Sequence, residues 1–275
     1  MQPKLYVTNY PAGDFRAMPA LGGGYALLKW VTSFPGNPAR GLPTVTGLVL
    51  LSDAEDGRLL AVLDAAAVTG LRTAAAGVLA GETLGRPDAA TWAVVGCGAN
   101  GAETVRMLVA CGRTPLVWDV EEARRRGVAA ELGGREAESL EEALACDVVI
   151  TVTPGGEPLF RSGSLRAGQH VSLMGADGPG KAEIAVEELR RGRLVCDDWA
   201  QASHGGELAA ALAAGVVTRE CVTELGAVLA GAAEGRRSAD EVTLFDSTGL
   251  AIQDLAIAKA AFSVASDIDL PRLAL

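Results

Sequence analysis

The sequence predicts an α/β protein, in which a doubly wound parallel sheet is joined to a smaller β-rich α/β domain. Three observations predict it. Residues 96–101 read Gly-Cys-Gly-Ala-Asn-Gly, a G-x-G-x-x-G turn set between an apolar run at 90–95 and a helical pattern at 102–111. From Asp88 onward, short apolar runs alternate with helical patterns. Such βα repetition gives a mostly parallel sheet covered on both faces. Residues 1–64, by contrast, carry short apolar segments cut by Gly, Pro, Asn and Asp, which read as strands and turns. The large half is therefore of the Rossmann type.

Taken in order, the apolar segments at 4–8, 25–33, 48–52 and 59–63 are the strands of the β-rich part. Residues 53–57, between two of them, form a hairpin turn. An alanine-rich helix over 71–84 stops near Gly85 and Pro87. Strands then fall at 91–95, 115–118, 148–153, 170–174 and 193–197, with helices at 102–111, 120–132, 139–145 and 185–192 between them. Helices at 205–214 and 219–233, a last strand at 241–246 and a final helix at 249–265 follow. The final helix returns to the N-terminal part. This predicts one discontinuous domain, 1–86 with 246–275, and a second at 87–245.

Composition narrows the function. Hydrophobic residues make up 49% and charged residues 21% of the 275, enough for a well-cored globular chain. The net charge of −10 argues against a nucleic-acid or anionic-membrane partner. An anionic substrate would need a local basic pocket. The five cysteines are odd in number, widely spaced and without C-x-x-C, so they read as reduced thiols of a cytoplasmic protein. The two histidines, His170 and His204, lack metal-ligand spacing, and no metal site is expected. The N-terminus has no apolar signal core, and no apolar run reaches the ~18 residues of a membrane span.

The glycine turn carries the first chemical inference. Gly96 permits the tight turn out of the strand, Gly98 lets a pyrophosphate approach the backbone, and Gly101 lets helix and strand pack closely. The N-terminus of the helix that follows offers unpaired N–H groups and a partial positive charge to phosphates. A second apolar run, 115–118, ends in Asp119, where a carboxylate can accept from both ribose hydroxyls. A 2′-phosphate there would meet a like charge, so NAD is favoured over NADP. Arg124, Arg125 and Arg126 stand close enough to weaken that preference. A glycine-rich turn that binds nothing is the bland alternative.

Longer motifs carry a resemblance. Residues 14–20 (DFRAMPA), 27–45 (LLKWVTSFPGNPARGLPTV), 68–77 (VTGLRTAAAG), 94–101 (VVGCGANG), 171–184 (VSLMGADGPGKAEI), 196–207 (CDDWAQASHGGE) and 240–256 (DEVTLFDSTGLAIQDLA) resemble the ornithine cyclodeaminase/μ-crystallin family, and most closely its archaeal-type alanine dehydrogenase branch. The sequence starts almost at that family's first strand; either the helices that usually precede it are absent or the start is truncated. Ser172 stands where the family usually has asparagine.

The resemblance implies a nicotinamide-dependent enzyme acting on an α-amino or α-imino acid. A hydride leaves Cα, an imine forms, and water or a side-chain amine attacks it. Lys29 and Arg72 match the family's carboxylate-binding positions, and Lys4 falls where it has a basic residue on the first strand. Arg16 is a further candidate. These cations suit a carboxylate, arginine in bidentate fashion and lysine as a compact charge. The apolar neighbours of Lys29 favour an inward side chain over a surface lysine, which makes it a candidate catalytic group as well. Asp177 matches the catalytic aspartate, able to orient or deprotonate water or hold the substrate ammonium, unless it only turns the chain before Gly178.

Cofactor contacts carried over by match are Thr44, Arg72, Thr73, Ala99, Asn100, Thr153, Val171, Ser172, Leu173, Met174, Lys181 and Ser247, besides the glycines of the turn. Thr73, taken as opening a helix, could bind a phosphate or cap that helix. Ordinary turn or cap bonding is the alternative for Thr153 and Ser247, and a solvated loop for Lys181. The leading expectation is an alanine dehydrogenase that is a homodimer through its β-rich, substrate-binding domain. The competing ones are an ornithine or lysine cyclodeaminase with recycled NAD, a ketimine or opine-type imine reductase, and a μ-crystallin-like binding protein.

Overall fold

In the computed structural model, residues 4–9, 12–176, 178 and 180–271 are described. The chain divides into two compact units, Met1–Arg72 with Leu250–Leu275 and Thr73–Gly249.

The first unit is built on an antiparallel sheet of five strands in sequence order: β1 (Leu5–Asn9), β2 (Gly13–Gly22), β3 (Tyr25–Ser33), β4 (Val45–Asp53) and β5 (Leu59–Asp64). The turn between β4 and β5 falls at the expected hairpin. Strand β2 was not expected. The mixture of Asp14, Arg16 and Pro19 hides its period of two, yet Arg16, Met18 and Ala20 share one side and Phe15, Ala17 and Pro19 the other. In β3, Leu27, Lys29 and Val31 are buried, while Leu28 and Trp30 are 40% and 44% exposed. The register lines up Met18, Lys29 and Val49 across β2, β3 and β4. A lysine is therefore built into the core side of the sheet.

Helix α1 (Ala65–Leu84) starts six residues earlier than the sequence suggested. Asp64 accepts the N–H of Ala66 at 2.9 Å, and the alanines that follow sustain the helix through Gly70. The second half of α1 belongs with the second unit. Gly77 and Gly81 bring it against Ile150, Trp92 and Val148; a Cβ on Gly81 would lie 2.7 Å from the Trp92 ring.

The second unit contains β6 (Trp92–Val95), α2 (Ala99–Ala110), β7 (Leu116–Trp118), α3 (Glu122–Leu132), β8 (Arg135–Glu136), α4 (Leu140–Leu144) and β9 (Val148–Thr151). It continues with β10 (His170–Leu173), β11 (Arg193–Cys196), α5 (Trp199–Gly205), α6 (Glu207–Ala213), β12 (Val222–Glu224), α7 (Leu225–Leu229) and β13 (Thr243–Asp246). Its eight strands run in the order β12-β11-β13-β10-β9-β6-β7-β8, every described pair parallel. From β6 the chain moves out through β7 and β8, then returns to the other side of β6 with β9. That reversal is a topological switch point, and the crevice outside the carboxyl ends of these strands is where open α/β sheets take ligands. Apolar clusters cover both faces, one including Val149, Val171 and Leu194, the other Val94, Ile150 and Phe245.

Some expected elements are corrected. The helix expected over 205–214 is α6, which starts two residues later behind Gly206, where a Cβ would lie 2.6 Å from Asp246 Oδ1; the short helix α5 before it was not expected. The helix expected over 219–233 is a 3-10 turn, strand β12 and a short helix. Val222 and Thr223 pair with β11, so β-branching and sheet contacts override the helical pattern. Residues 186–191 form a 3-10 turn rather than an α-helix. The last helix, α8 (Ala251–Val264), packs on β2, β3 and β4, and the Gln253 side chain accepts the N–H of Leu250 at its start. No helix of the described residues is long and apolar enough to cross a membrane.

Candidate active site

The glycine turn is shaped as its sequence requires. Gly96 has φ +103°, and a Cβ there would meet the Val152 carbonyl oxygen at 2.9 Å. At Gly101 a Cβ would collide with the Gly96 carbonyl oxygen. Gly98 is exposed, and a Cβ there would meet nothing within 4 Å. It is the N-cap of α2, with no side chain capping the helix. Helix α2 thus begins at Ala99, three residues earlier than expected, and Ala99, Asn100 and Gly101 form its first turn. Open backbone, free N–H groups and the positive end of a helix dipole fit a pyrophosphate.

Asp119 stands at the end of β7. Its Oδ2 accepts the Cys97 N–H at 2.7 Å and its Oδ1 the Glu121 N–H at 2.8 Å. The carboxylate is thereby fixed beside the turn, and each oxygen keeps further acceptor capacity. The three nearby arginines are spent on acids: Arg124 on Glu121 at 2.9 Å, Arg125 on Glu136 at 3.1 Å, and Arg126 on Glu122. That removes the reason to expect a 2′-phosphate. Burial and the neighbouring Asp119 push the Cys97 thiol up to about 12, so it is a packing group and not a nucleophile.

Buried acids shape the carboxyl ends of β9, β10 and β13. Glu183 accepts four hydrogen bonds, from Thr151 Oγ1 (2.6 Å), Thr153 N (2.8 Å), Thr153 Oγ1 (2.6 Å) and Gly175 N (2.8 Å). Burial nonetheless raises its pKa. Glu207 accepts the Glu183 N–H at 2.6 Å; burial, with Asp246 and Glu183 nearby, raises it to about 9. Asp246 accepts the Leu208 N–H at 3.0 Å and is raised by burial to about 7. Asp197 binds Ser247 Oγ, Thr248 N and Gly249 N at 2.7–3.2 Å. These groups tie the loops beyond the strands to the sheet. His170 is fully buried between the Thr243 and Ser172 hydroxyls at 2.8 and 2.9 Å; burial lowers its pKa to about 3 and keeps it neutral.

The first unit holds a different cluster. Lys29, from β3, is 1% exposed, and its Nζ lies 2.9 Å from Oδ1 of Asp254 on α8, itself fully buried. Arg72, from α1, brings Nε to 3.6 Å from the same oxygen. Among the described residues, Arg72 Nε and Asp254 Oδ2 are buried without a hydrogen-bond partner. Burial first, then Arg72, lowers the Lys29 ammonium to about 8 against the pull of Asp254. Two cations and one anion leave a surplus positive charge with unspent donors, which suits a carboxylate. Arg16 lies on the same side of the sheet, paired with Asp14 at 2.7 Å and stacked over the Tyr6 ring.

The structure thus brings together Lys29 and Arg72, and separately the residues of the glycine turn with Asp119. Thr153 holds the buried Glu183 through its hydroxyl, and Ser247 the half-buried Asp197. Val171, Ser172 and Leu173 are fully buried in β10, and Ser172 donates to the Gly77 carbonyl at 3.1 Å; Met174, just beyond, sits in the core. Their side chains are committed to packing. Thr73 lies in the third turn of α1 and not at its start, so its capping role is withdrawn. Its buried Oγ1 has no partner among the described residues. Lys4 immediately precedes β1, Thr44 precedes β4, and Lys181 lies in the loop after β10 beside Gly155. Asp177 lies outside the described residues. The described residues contain no group of side chains able to hold a metal ion.

Asp254 and Glu183 were missed. The signal for Asp254 was a lone acid on an apolar helical stripe, since Ala251, Leu255 and Ala258 are buried beside it.

The sequence pattern of the ornithine cyclodeaminase/mu-crystallin family matches residues 1–267. Alanine dehydrogenase of Archaeoglobus fulgidus is 43% identical over 275 residues, covering 95% of this chain and 83% of that protein. Among solved structures, an archaeal alanine dehydrogenase dimer with bound NAD superposes with a TM-score of 0.91 at 41% identity, covering 98% of this chain and 87% of the other. Thermococcus litoralis Δ1-pyrroline-2-carboxylate reductase, in complex with NADH and L-proline, gives a TM-score of 0.89 at 29% identity, covering 97% and 87%. The chain belongs to the ornithine cyclodeaminase/mu-crystallin family.

Proposed function

We propose that this chain is an NAD-dependent oxidoreductase acting on a small α-amino or α-imino acid, with L-alanine and pyruvate as its substrate pair. The observation that carries the reading is its near full-length likeness to the archaeal alanine dehydrogenase. The buried Lys29–Arg72 cluster supports it, being a carboxylate site inside an acidic protein. In this reaction L-alanine, NAD and water give pyruvate, ammonium, NADH and a proton.

The residues present fit the cofactor. The open backbone at Gly98 and the uncapped start of α2 would hold the pyrophosphate, and Asp119 the adenosine ribose. When bound, NAD supplies the acceptor for the hydride that leaves the substrate Cα. Lys29 and Arg72 hold the substrate carboxylate and fix the orientation of Cα. Asp177 activates water or holds the amino group. The second unit binds the cofactor, and the first binds substrate and joins two copies. Leu28, Trp30, Leu48 and Val62, 40–53% exposed on one side of its sheet, give that homodimer an apolar face.

Reduction of a cyclic imino acid is the second reading. The Thermococcus likeness favours it, and the same cation cluster would take that carboxylate. The test is NADH oxidation by the purified protein with pyruvate plus ammonium, and separately with Δ1-pyrroline-2-carboxylate. The reading requires turnover with the first pair and NADH formation from L-alanine at alkaline pH, where proton release favours oxidation. Turnover with the cyclic imine alone would move the substrate assignment. Failure with both, together with indifference to Asp177→Asn, would leave a binding protein.

A further inference from the structure

The carboxylate cluster contains one anion, Asp254 of the 240–256 motif, to which the sequence assigns no role. Asp254 is 0% exposed, Lys29 is 1% exposed, and the two meet at 2.9 Å from different elements of the first unit. Arg72 approaches the same oxygen at 3.6 Å. The other carboxylate oxygen of Asp254 and Nε of Arg72 have no hydrogen-bond partner among the described residues. We propose that Asp254 is a positioning residue of the substrate site: it aims the Lys29 ammonium and keeps it charged, so that Lys29 meets a substrate carboxylate as a cation. The inference rests on the carboxylate-binding reading of Lys29 and deepens it.

The charged groups facing Lys29 can be named element by element. Asp254 comes from α8, Arg72 from α1 and Arg16 from β2, while β4 contributes the uncharged Val49. Burial, Arg72 and Arg16 all favour the neutral amine, and among the described residues Asp254 alone opposes them. With that opposition in place, Lys29 releases its proton near pH 8. Without Asp254 the remaining influences all act downward, and an uncharged amine would face the substrate at neutral pH. A neutral amine forfeits the charge-assisted hydrogen bond that a carboxylate needs from it. Repulsion from the Arg72 guanidinium, no longer balanced by Asp254, is one of those downward influences. Asp254 thus sets both direction and charge without itself touching substrate.

The experiment is the pH dependence of kcat/KM for pyruvate with saturating ammonium and NADH, in the wild type and in Asp254→Asn. Expected is an alkaline limb near pH 8 in the wild type that moves down by at least about one pH unit in the variant. The KM for pyruvate should rise well above the limb, with a much smaller change in kcat. Adding Lys29→Arg to Asp254→Asn should abolish the limb, because arginine keeps its charge. A limb that stays at the wild-type pH, or activity lost evenly at every pH, would overturn the proposal and leave Asp254 structural. Should Asp254→Asn not fold, Asp254→Glu keeps the charge but displaces it. It must then hold the limb within about half a unit while raising KM several-fold; an unchanged KM refutes positioning. Should no 2-oxo acid be turned over, the failure belongs to the functional reading. An NMR titration of the Lys29 side-chain nitrogen then decides the role of Asp254: a midpoint lowered by Asp254→Asn supports it, and an unchanged one overturns it.

Discussion

Replacing Gly98 by alanine isolates the cofactor from the fold. Gly98 has φ −72° and ψ −170°, a conformation that alanine adopts freely, and an added Cβ meets no atom within 4 Å. Removing a glycine from the unfolded ensemble stabilises by about 0.4–1 kcal/mol. Alanine is a poorer N-cap than glycine, which offsets that gain in part. The urea midpoint should therefore stay close to the wild-type value. The cofactor is affected differently, because the vacant space over Gly98 is where a pyrophosphate would touch the backbone. Forcing a methyl group into a filled contact costs about 1–3 kcal/mol, or about 5- to 150-fold in Kd. Gly101→Ala is the contrasting variant. Its Cβ strikes the Gly96 carbonyl oxygen, so stability itself should fall. The assay is NADH fluorescence titration beside urea melts of the same proteins. NADH binding by Gly98→Ala within about twofold of wild type would refute the placement of the pyrophosphate on this turn.

Three further outcomes are expected. Lys29→Met should raise the KM for a carboxylate substrate about 10- to 150-fold, the worth of a charged hydrogen bond of about 1.5–3 kcal/mol, and lower the melting temperature because, among the described residues, Asp254 keeps only Arg72 as a counter-charge; an unchanged KM would remove Lys29 from the site. Asp119→Ala should lower the ratio of NAD to NADP affinity by about tenfold, or about 1.4 kcal/mol, read by titrating both cofactors. Glu207→Gln should stabilise the protein at alkaline pH. The folded carboxyl holds its proton to about pH 9 while an unfolded one releases it near 4.5, so wild-type stability falls as pH rises through that window. The gap between variant and wild type should widen with pH by up to about 1.4 kcal/mol per unit, and parallel urea curves from pH 5 to pH 8 would refute it.

The parts of the molecule legible in the sequence are those fixed by local chemistry. The turn at residues 96–101 needs a positive φ at Gly96 and a bare Cα at Gly101, and only glycine meets both demands. The strands around it are fully buried runs bounded by turns, and a parallel sheet requires that pattern. Strand β2 escaped notice because Arg16 faces the core side, stacked on Tyr6, while Pro19 faces the other. Strand β12 escaped because its three residues follow a turn and precede a helix, so a helical window spans all of them. In both places tertiary contacts decide between local patterns of similar strength.

The candidate site divides along the same line. Lys29 was legible because an unbroken apolar strand leaves a lysine at its centre with nowhere to go but inward. Its counter-charge was not, because Asp254 stands 225 positions away, and period and spacing carry no information about such a partner. Burial supplies the missing rule. A lysine on the core side of a sheet must find an anion or lose its proton, and an acid on the apolar stripe of a helix must find a cation. Each residue taken singly is an anomaly, and each is the answer to the other. The same rule covers the buried carboxylate of Glu183, which pairs with no cation among the described residues and instead gathers four donors from the end of β9 and the loops after β9 and β10. Those loops carry Thr153, from the cofactor candidates, and lead on to the segment with Asp177. A lone acid in an apolar setting is therefore an address for the groups that must surround it, and here those groups lie at the carboxyl ends of the strands where the ligand is expected.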